Sequence, residues 1–175
     1  MFDPKSKETI GHHLFLEPDE PLLGELSGII RTLSETYGGP VFDPHVTLLA
    51  RIEDDNVMEK ARILAREMLP LTLRVSGIEG EDEYFRAFYL KVEPTPELMD
   101  AHSRANELFG MEDARAYAPH LSLFYGNIDD DARQRLRAAV PSFVGTTFTV
   151  STLSLFKTAG AADLWQRTER YPLGR

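Results

Sequence analysis

The chain has 175 residues, a length that suits one well-cored domain and falls short of two ordinary independent domains. Apolar residues make up 42% and charged residues 27%, a composition that disfavours global disorder. Acidic residues outnumber basic ones by 28 to 19, and the formal net charge of -9 opposes binding along a long phosphate backbone. A small anionic ligand, or an RNA terminus in a local basic site, stays compatible with this charge.

The sequence contains no cysteine, which excludes disulfides, a thiolate nucleophile and a cysteine-ligated metal. The first ten residues, MFDPKSKETI, lack the apolar stretch of a secretory signal, and no apolar run approaches the ~18 residues of a membrane helix. We therefore expect a soluble, unprocessed, cytoplasmic monomer that forms one domain over residues 1–175.

Hydrophobic periodicity and turn residues divide the chain into alternating strands and helices. Apolar residues recur at helical spacing from Leu22 to the Gly38-Gly39-Pro40 stop. The predicted order is a strand at 12–17, a helix from 22, a strand at 41–52, a helix from 54, strands at 71–75 and 84–92, a helix at 96–109, a strand at 118–125, a helix from 129, and strands at 148–156 and 165–171. Such a mixture of local pairing and crossovers predicts the α+β class.

One element of the sequence occurs twice. The segment DPHVTLL at 43–49 matches APHLSLF at 118–124, so both copies read Pro-His-apolar-hydroxyl-Leu-apolar. Side chains two apart on a strand point to the same face, which aligns His45 with Thr47 and His120 with Ser122. Pairing of the two copies would gather two imidazoles and two hydroxyls around one cleft while their apolar faces pack against helices.

This set of groups suits hydrolysis of a phosphodiester. A base must take a proton from the attacking water and an acid must protonate the departing alkoxide, and histidine suits both roles because its unperturbed pKa is about 6.5. The hydroxyls of Thr47 and Ser122 suit the non-bridging oxygens of the phosphate. The chemistry needs no cofactor, and we expect no metal because the histidines and carboxylates lack metal-ligand spacing. A strand that was duplicated for structural reasons alone would have no packing reason to retain histidine. Structural duplication therefore does not explain why imidazole occurs in both copies.

The motifs PHVTL and PHLSL resemble the twin His-x-Thr/Ser signatures of the 2H phosphoesterase superfamily. The continuation HLSLFYGN is most similar to the plant and fungal cyclic phosphodiesterases, which act on 2′,3′-cyclic nucleotides and ADP-ribose 1″,2″-cyclic phosphate. The resemblance spans nearly the whole chain. It implies two pseudo-symmetric lobes, each an antiparallel sheet with outer helices, around a central cleft.

The resemblance also implies roles for residues at matching positions. His45 and His120 would be the acid and base pair, Thr47 and Ser122 the phosphate-binding hydroxyls, and Tyr125 a substrate-binding aromatic residue. Strict alternation from His120 places Tyr125 on the opposite face of the strand. We therefore expect the strand to end or bulge before this tyrosine.

Other histidine and aromatic residues are interpreted as structural. Only one of His12 and His13 can face the cleft, and neither is assigned a role. His102 is expected on an exposed helix face. Phe85 is interpreted as cross-strand packing, and Trp165 as a core or lobe contact.

Three functions are open at this point. The first is metal-independent hydrolysis of a small-molecule cyclic phosphate ester to a phosphomonoester. The second keeps the same site but acts on RNA 3′ ends, as RNA 2′,3′-cyclic phosphodiesterases and 2′-5′ ligase-like members of the superfamily do; the acidic charge balance disfavours it. The third is a non-catalytic nucleotide-binding module, which does not explain why both histidines are present. The near-symmetric motifs leave open which histidine is the acid and which the base.

Overall fold

The computed structural model describes Asp3 and residues 5–112 and 115–174. Its strands are β1 (Glu8–Thr9), β2 (His12–Leu16), β3 (Val46–Ile52), β4 (Leu71–Glu79), β5 (Phe88–Val92), β6 (His120–Phe124), β7 (Thr147–Val150), β8 (Thr152–Lys157), β9 (Gly160–Ala161) and β10 (Gln166–Pro172). Its helices are α1 (Leu22–Tyr37), α2 (Val57–Glu67), α3 (Pro96–Phe109) and α4 (Asp130–Ala139). No helix in these described ranges has the length and apolar character needed to cross a membrane.

Eight strands form an antiparallel sheet in the order β10-β8-β2-β3-β6-β5-β4-β7, and β1 pairs separately with β9. The two strands that carry the repeated motif, β3 and β6, are neighbours at the centre, where Val46 lies opposite Leu121. We call the half that contains β3, β2, β8 and β10 the first lobe, and the half that contains β6, β5, β4 and β7 the second lobe. The expected α+β fold with two pseudo-symmetric lobes is confirmed.

Each motif strand is covered by a helix from the other half of the chain. Helix α1 precedes β3 in sequence but packs against β6, and α3 precedes β6 but packs against β3. Leu26 and Ile30 of α1, and Leu98 and Ala105 of α3, are buried. Each lobe therefore depends on a helix supplied by the other half of the chain, while the uncovered face of the motif strands faces the cleft.

The motif strands are shorter than predicted. Strand β3 begins at Val46 rather than at 41, and β6 begins at His120 rather than at 118. Pro44 and Pro119 precede the two motif histidines and lack the N–H that a strand ladder requires. His45 consequently lies directly before β3, and His120 is the first residue of β6.

The predicted strand at 148–156 is wrong because it is two strands with different neighbours. Strand β7 pairs with β4 at the edge of the second lobe, whereas β8 lies between β10 and β2 in the first lobe. Ser151 separates them, and its backbone N–H and its hydroxyl both donate to Asp19 Oδ1, at 3.2 and 2.7 Å. The apolar alternation shifts by one residue at this point, from Phe148 and Val150 to Leu153 and Leu155, and this shift marks the junction that the single predicted strand overlooked.

A buried carboxylate joins three strands of the first lobe. Glu17 directly follows β2 and is 3% exposed. Its oxygens accept hydrogen bonds from Arg167 at 2.5 Å, Arg170 at 2.7 Å and the Ser154 hydroxyl at 2.9 Å. Burial raises the pKa of Glu17, but the bonds from Arg167 and Arg170 outweigh burial and hold this pKa below its usual range. The carboxylate is therefore ionised at neutral pH and links β2 to β8 and β10.

Replacing Glu17 by Gln should destabilise the fold, because Arg170 loses its carboxylate partner and Arg167 keeps only that of Asp43, at 3.0 Å. Both arginines are partly exposed, so the loss should be below that of a fully buried pair, at about 2–3 kcal/mol in the free energy of unfolding. Urea unfolding at pH 7 measures the loss. Glu35→Gln, at an exposed position of α1, is the control and should change the free energy by less than about 0.5 kcal/mol. Equal stability of the two variants would contradict the structural role of Glu17.

Candidate active site

A cavity of about 190 Å³ lies where the two lobes meet. Its wall includes all five residues predicted from the sequence, namely His45, Thr47, His120, Ser122 and Tyr125. The first two belong to the first copy of the repeat, and the other three belong to the second copy or directly follow it. The side-chain alignment expected from the repeat therefore brings both imidazoles and both hydroxyls to one cavity, which we call the first cavity.

The ring of His45 is buried and fixed in one orientation. It stacks on Phe15 with ring centroids 3.5 Å apart and an interplanar angle of 13°. Its Nδ1 lies 2.6 Å from the backbone carbonyl oxygen of Asp43. Because a carbonyl oxygen only accepts, Nδ1 carries the proton, and Nε2 has a lone pair for a ligand. The hydroxyl of Tyr125 lies 3.5 Å from this Nε2.

His120 repeats this arrangement in the second lobe. Its Nδ1 lies 2.9 Å from the carbonyl oxygen of Ala118, two residues earlier, as in the first copy. Arg86 Nη1 is 3.4 Å from the same Nδ1, but two donors do not bond to each other. The shorter contact with the carbonyl defines the tautomer, so Arg86 acts on His120 mainly through its positive charge. His120 is more exposed than His45.

Both motif histidines have lowered pKa values. Burial is the largest cause in each case and lowers the pKa of His45 and of His120 to about 4. At both rings a backbone bond and a glutamate charge, Glu17 at His45 and Glu81 at His120, oppose this effect, and at His120 the positive charge of Arg86 adds to it. Both imidazoles are therefore neutral at pH 7 when the cavity holds no anion.

The position of Tyr125 follows from the end of a strand. Strand β6 stops at Phe124, which frees the next residue from strict alternation, as expected from the sequence. The Tyr125 ring stacks on Phe42 with centroids 3.8 Å apart. Burial raises the pKa of Tyr125, so that its hydroxyl stays a neutral donor. The Ser122 hydroxyl nearby donates to the Phe85 carbonyl oxygen at 3.2 Å.

The wall also contains aromatic residues whose pattern in the sequence indicated a structural role. Phe85 belongs to a 3₁₀ turn, Tyr84–Arg86, rather than to a strand, so its interpretation as cross-strand packing is wrong. Its ring stacks with Trp165, with centroids 5.7 Å apart, and Trp165 also stacks with His13 at 5.9 Å. Trp165 is thus a lobe contact that also lines the cavity. Of the two adjacent histidines of β2, it is His13 that lines the first cavity.

Three arginines line the first cavity and were not expected from the sequence: Arg51, Arg86 and Arg115. Arg86 Nη2 contacts Glu81 at 2.5 Å, and Arg115 forms two bonds with Glu83 at 2.8 and 3.1 Å. These cations supply local positive charge in a protein of negative net charge. They lie far apart in the chain, so no local pattern marks them as one group.

Arg51 has an unusual backbone conformation. Its φ is 59°, in the left-handed region, which costs a non-glycine residue roughly 1–2 kcal/mol. The pairing of β2 with β3 shifts at this point, because His12 lies opposite Ile52 and Leu14 opposite Leu49. Two steps on β2 thus face three steps on β3, which is a β-bulge. Counted by alternation from Thr47, Arg51 falls on the cleft face of the strand, and its side chain lines the cavity there.

The expectation that His102 is exposed is wrong. Its side chain is buried on α3, where Nδ1 donates to the Leu48 carbonyl oxygen at 2.7 Å and Nε2 accepts from Asn106 Nδ2 at 3.1 Å. Its ring stacks on Tyr117 with centroids 3.8 Å apart. Helical periodicity missed this position because its partner, β3, lies far away in sequence.

The two-lobed fold and its paired His-x-Thr/Ser strands define a 2H phosphoesterase. Among solved structures, E. coli LigT has a TM-score of 0.62 over 96% of this chain and 99% of LigT, at 14% identity. A protein of Thermus thermophilus has a TM-score of 0.62 over 93% of this chain and 97% of its own, at 16% identity. At these identities the likeness shows the fold alone. LigT has also been crystallised with 3′-AMP.

The chain belongs to the family of cyclic phosphodiesterase-like proteins, whose model matches residues 10–167. It is 26% identical over 147 residues to a cyclic phosphodiesterase of Arabidopsis thaliana, covering 81% of each chain. It is 24% identical to a 2′,3′-cyclic-nucleotide 3′-phosphodiesterase of Yarrowia lipolytica, covering 90% of this chain and 97% of the relative. The protein is therefore a phosphoesterase enzyme of the cyclic phosphodiesterase kind.

The buried imidazoles should make the protein less stable in acid. Burial is the main cause that lowers the pKa of His13 to about 3 and those of His45 and His120 to about 4, from 6.5. The unfolded chain therefore takes up protons first, so each contribution to stability is fully present above pH 6.5 and is lost as pH falls toward these folded values. We expect the free energy of unfolding to fall by up to about 1.4 kcal/mol per pH unit for each histidine.

Urea unfolding from pH 7 down to pH 4 measures this dependence. A His13→Asn variant should show a shallower decrease, because one of the three depressed groups is gone. A free energy of unfolding that is the same at pH 4 and pH 7 in the parent protein would contradict the assignment of neutral, buried imidazoles.

Proposed function

We propose that the enzyme opens the cyclic phosphate of a small nucleotide, a 2′,3′-cyclic nucleotide or ADP-ribose 1″,2″-cyclic phosphate, to a phosphomonoester, with His45 and His120 as acid and base. The observation that carries the proposal is the shared tautomer: both Nδ1 atoms bond to a carbonyl two residues back, so both Nε2 atoms are available in one cavity. The relatives in Arabidopsis and Yarrowia are named for cyclic phosphates. Residues 1–175 act as one unit in this proposal, because both lobes contribute to the cavity.

In the proposed reaction His120 is the base and His45 is the acid. Water attacks phosphorus in line with the ring P–O bond, and its proton passes to Nε2 of His120 as the new P–O bond forms. The ring P–O bond breaks on the opposite side, and Nε2 of His45 gives its proton to the departing ribose oxygen. One water is consumed, and one hydroxyl and one phosphomonoester are formed. Exchange of protons with solvent restores both imidazoles.

The surrounding charges support this direction. The base must start neutral, and the Arg86 cation 3.4 Å from His120 Nδ1 disfavours protonation of that ring. The acid must start protonated, and the negative charge of Glu17 favours a proton on His45. A phosphate anion between the rings raises both pKa values, so binding of the substrate itself promotes the protonated state that the acid requires.

The remaining cavity groups hold the phosphate. The hydroxyls of Thr47 and Ser122 donate to its non-bridging oxygens, where negative charge increases in the transition state. Ser122 releases its bond to the Phe85 carbonyl in order to do so, and that bond is long at 3.2 Å. The Tyr125 hydroxyl, which burial keeps un-ionised, is a further donor beside His45 Nε2.

Removal of either imidazole should abolish most of the activity. We expect His45→Ala and His120→Ala each to lower kcat/KM for adenosine 2′,3′-cyclic phosphate by at least about 100-fold, the usual contribution of a positioned acid or base. His12→Ala, on β2 outside the cavity wall, is the control and should leave the rate unchanged. EDTA should leave the parent rate unchanged, because the proposed steps are proton transfers between imidazole, water and ribose oxygen. Unchanged turnover in both cavity variants would refute the mechanism.

A substrate with a good leaving group should distinguish the acid from the base. A nitrophenyl phosphodiester releases nitrophenolate, which departs without protonation. We expect His45→Ala to hydrolyse this ester at nearly the parent rate, whereas His120→Ala stays impaired, because attack by water still needs a base. The opposite pattern would exchange the two roles. Equal impairment of both variants would argue against separate acid and base functions.

The value of kcat/KM should be highest at acid pH and should fall as the pH approaches neutrality. With pKa values of about 4 for both rings in the free enzyme, the state with one protonated and one neutral imidazole becomes rare above pH ~5, and kcat/KM should fall about tenfold per pH unit. The decline of kcat should begin at a higher pH than the decline of kcat/KM, because bound phosphate raises the pKa values of both rings. Initial rates from pH 4 to 8 test this, and a flat kcat/KM above pH 5 would contradict it.

A further inference from the structure

The aromatic residues beside the two motif histidines occupy equivalent positions but differ by one hydroxyl. Phe15 on β2 and Tyr89 on β5 each lie opposite the motif hydroxyl of their own lobe. The ring centroids of Phe15 and His45 are 3.5 Å apart, and those of Tyr89 and His120 are 4.9 Å apart. The two halves of the site therefore differ at a position that contacts the motif imidazoles.

The hydroxyl of Tyr89 joins a cluster with Glu81 and Arg86. Glu81 Oε1 accepts hydrogen bonds from Arg86 Nε at 2.9 Å, from Arg86 Nη2 at 2.5 Å and from the Tyr89 hydroxyl at 2.7 Å. The Arg86 guanidinium carbon lies 5.0 Å from the centroid of the Tyr89 ring. Burial raises the pKa of Tyr89 to about 12. Burial also raises the pKa of Glu81, but the bonds from Arg86 and Tyr89 outweigh burial and hold this pKa below its usual range. The cluster is therefore a carboxylate, a cation and a neutral hydroxyl at pH 7.

The backbone around this cluster is also fixed. The Glu81 N–H donates to the Arg86 carbonyl oxygen at 2.8 Å. Arg133 of α4 donates to the carbonyl oxygens of Glu81 and Ala87, each at 3.1 Å. A Cβ atom on Gly80 would lie 2.3 Å from the Ala87 oxygen, so this close approach requires glycine. The Arg86 side chain is 15% exposed. Its guanidinium is therefore positioned by the protein itself.

The remaining nitrogen of this guanidinium lies beside His120. Arg86 Nη1 is 3.4 Å from His120 Nδ1, which already donates its proton to the Ala118 carbonyl oxygen. The contact is therefore between a charge and a ring rather than a hydrogen bond. A cation at this distance disfavours a second proton on the ring. The charge of Glu81 opposes this effect, but that of Arg86 is the stronger of the two at His120. The pair therefore acts on His120 as a net positive charge.

Other titratable groups near His120 come from three directions. Arg115, in the chain that leads into β6, adds positive charge at the same ring. Lys91 lies opposite His120 on β5. Both of these cations are about half exposed, and each is paired with a carboxylate. Across the first cavity, His45 is neutral at pH 7. Arg86 is the most buried of the three cations, so solvent and salt screen its charge least.

We propose that Glu81 is a positioning residue, which holds the Arg86 cation beside His120 so that this ring stays neutral. Glu81 lies outside the wall of the first cavity and acts only through Arg86. The first lobe differs because Phe15 has no hydroxyl with which to complete such a cluster. The inference deepens the proposed function and rests on it for one step, the use of the neutral ring as the base.

Titration of the His120 ring ¹⁵N resonances tests the positioning directly. In the parent protein the pKa of about 4 leaves the ring half protonated at pH 4. Arg86→Gln removes the cation and leaves the carboxylate, so the pKa of His120 should rise by about one pH unit or more. Glu81→Gln removes the negative charge but keeps an oxygen that accepts from Arg86, so the pKa should fall. At pH 4 the ring should therefore be mostly protonated in the first variant and mostly neutral in the second.

Glu81→Ala separates the position of the cation from the charge of the carboxylate. It removes the same charge as Glu81→Gln but leaves Arg86 without this acceptor, so the pKa of His120 should be higher than in Glu81→Gln. The difference should vanish when Arg86→Gln is also present, because no cation is then left to position. Arg74→Gln, at an exposed residue of β4 paired with Glu93, is the matched control and should leave the pKa unchanged.

A purely structural role of Glu81 gives another pattern. Loss of local order would admit water to His120, and because burial is the main cause of its low pKa, the pKa would rise in both Glu81→Gln and Arg86→Gln. Three results would overturn the inference: a rise in both variants, no change in either, or a difference between Glu81→Gln and Glu81→Ala that persists without Arg86.

Hydrolysis of a nitrophenyl phosphodiester connects the cluster to catalysis. Its kcat/KM depends on the base and not on the acid, so it should fall at low pH as His120 takes up a proton. The fall should begin at a higher pH in Arg86→Gln than in the parent enzyme, and at a lower pH in Glu81→Gln. Rates that do not follow the measured pKa of His120 would refute the proposed function of this ring as the base. The pKa values alone decide whether Glu81 positions Arg86.

Discussion

The antiparallel contact between β3 and β6, with Val46 opposite Leu121, is the constraint on which the rest of the structure depends. It places the two copies of the motif side by side in opposite directions, so that an imidazole and a hydroxyl from each copy face one cleft. The exchanged packing of α1 on β6 and α3 on β3 covers the other face of this junction. A shift of one residue in this register would turn either histidine away from the cavity.

Proline has a local role in the same arrangement. In both copies the residue before histidine is proline, and histidine Nδ1 bonds to the carbonyl oxygen on the other side of that proline, in Asp43 and Ala118. The motif therefore determines the ring tautomer as well as the ring position. Burial then makes both rings neutral, and the Arg86 cation beside His120 makes the two halves chemically different.

The sequence predicts those features of the fold and site that depend on local periodicity and on the repeat. Alternation within each copy located His45, Thr47, His120 and Ser122, and the end of β6 explains Tyr125. Features that depend on contacts between distant segments were missed. The apolar alternation shifts by one residue at 151–152, but this shift alone does not say which strand each segment pairs with. The 3₁₀ turn at 84–86 alters side-chain direction without any marked residue pattern. The sequence also does not predict which polar residues are buried. His102 has the pattern of a surface histidine, but in the fold its ring bonds to a carbonyl of β3 and stacks on Tyr117.

The central claim is that both motif imidazoles act on one phosphate. A titration of the histidine ring ¹⁵N resonances, with and without a nucleoside 2′-phosphate, measures it most directly, and His45→Asn and His120→Asn variants assign the signals. Without ligand we predict two neutral rings at pH 6, both protonated at Nδ1; with ligand, both resonances should shift and both pKa values should rise well above 4. A response from only one ring, or from neither, would contradict the account.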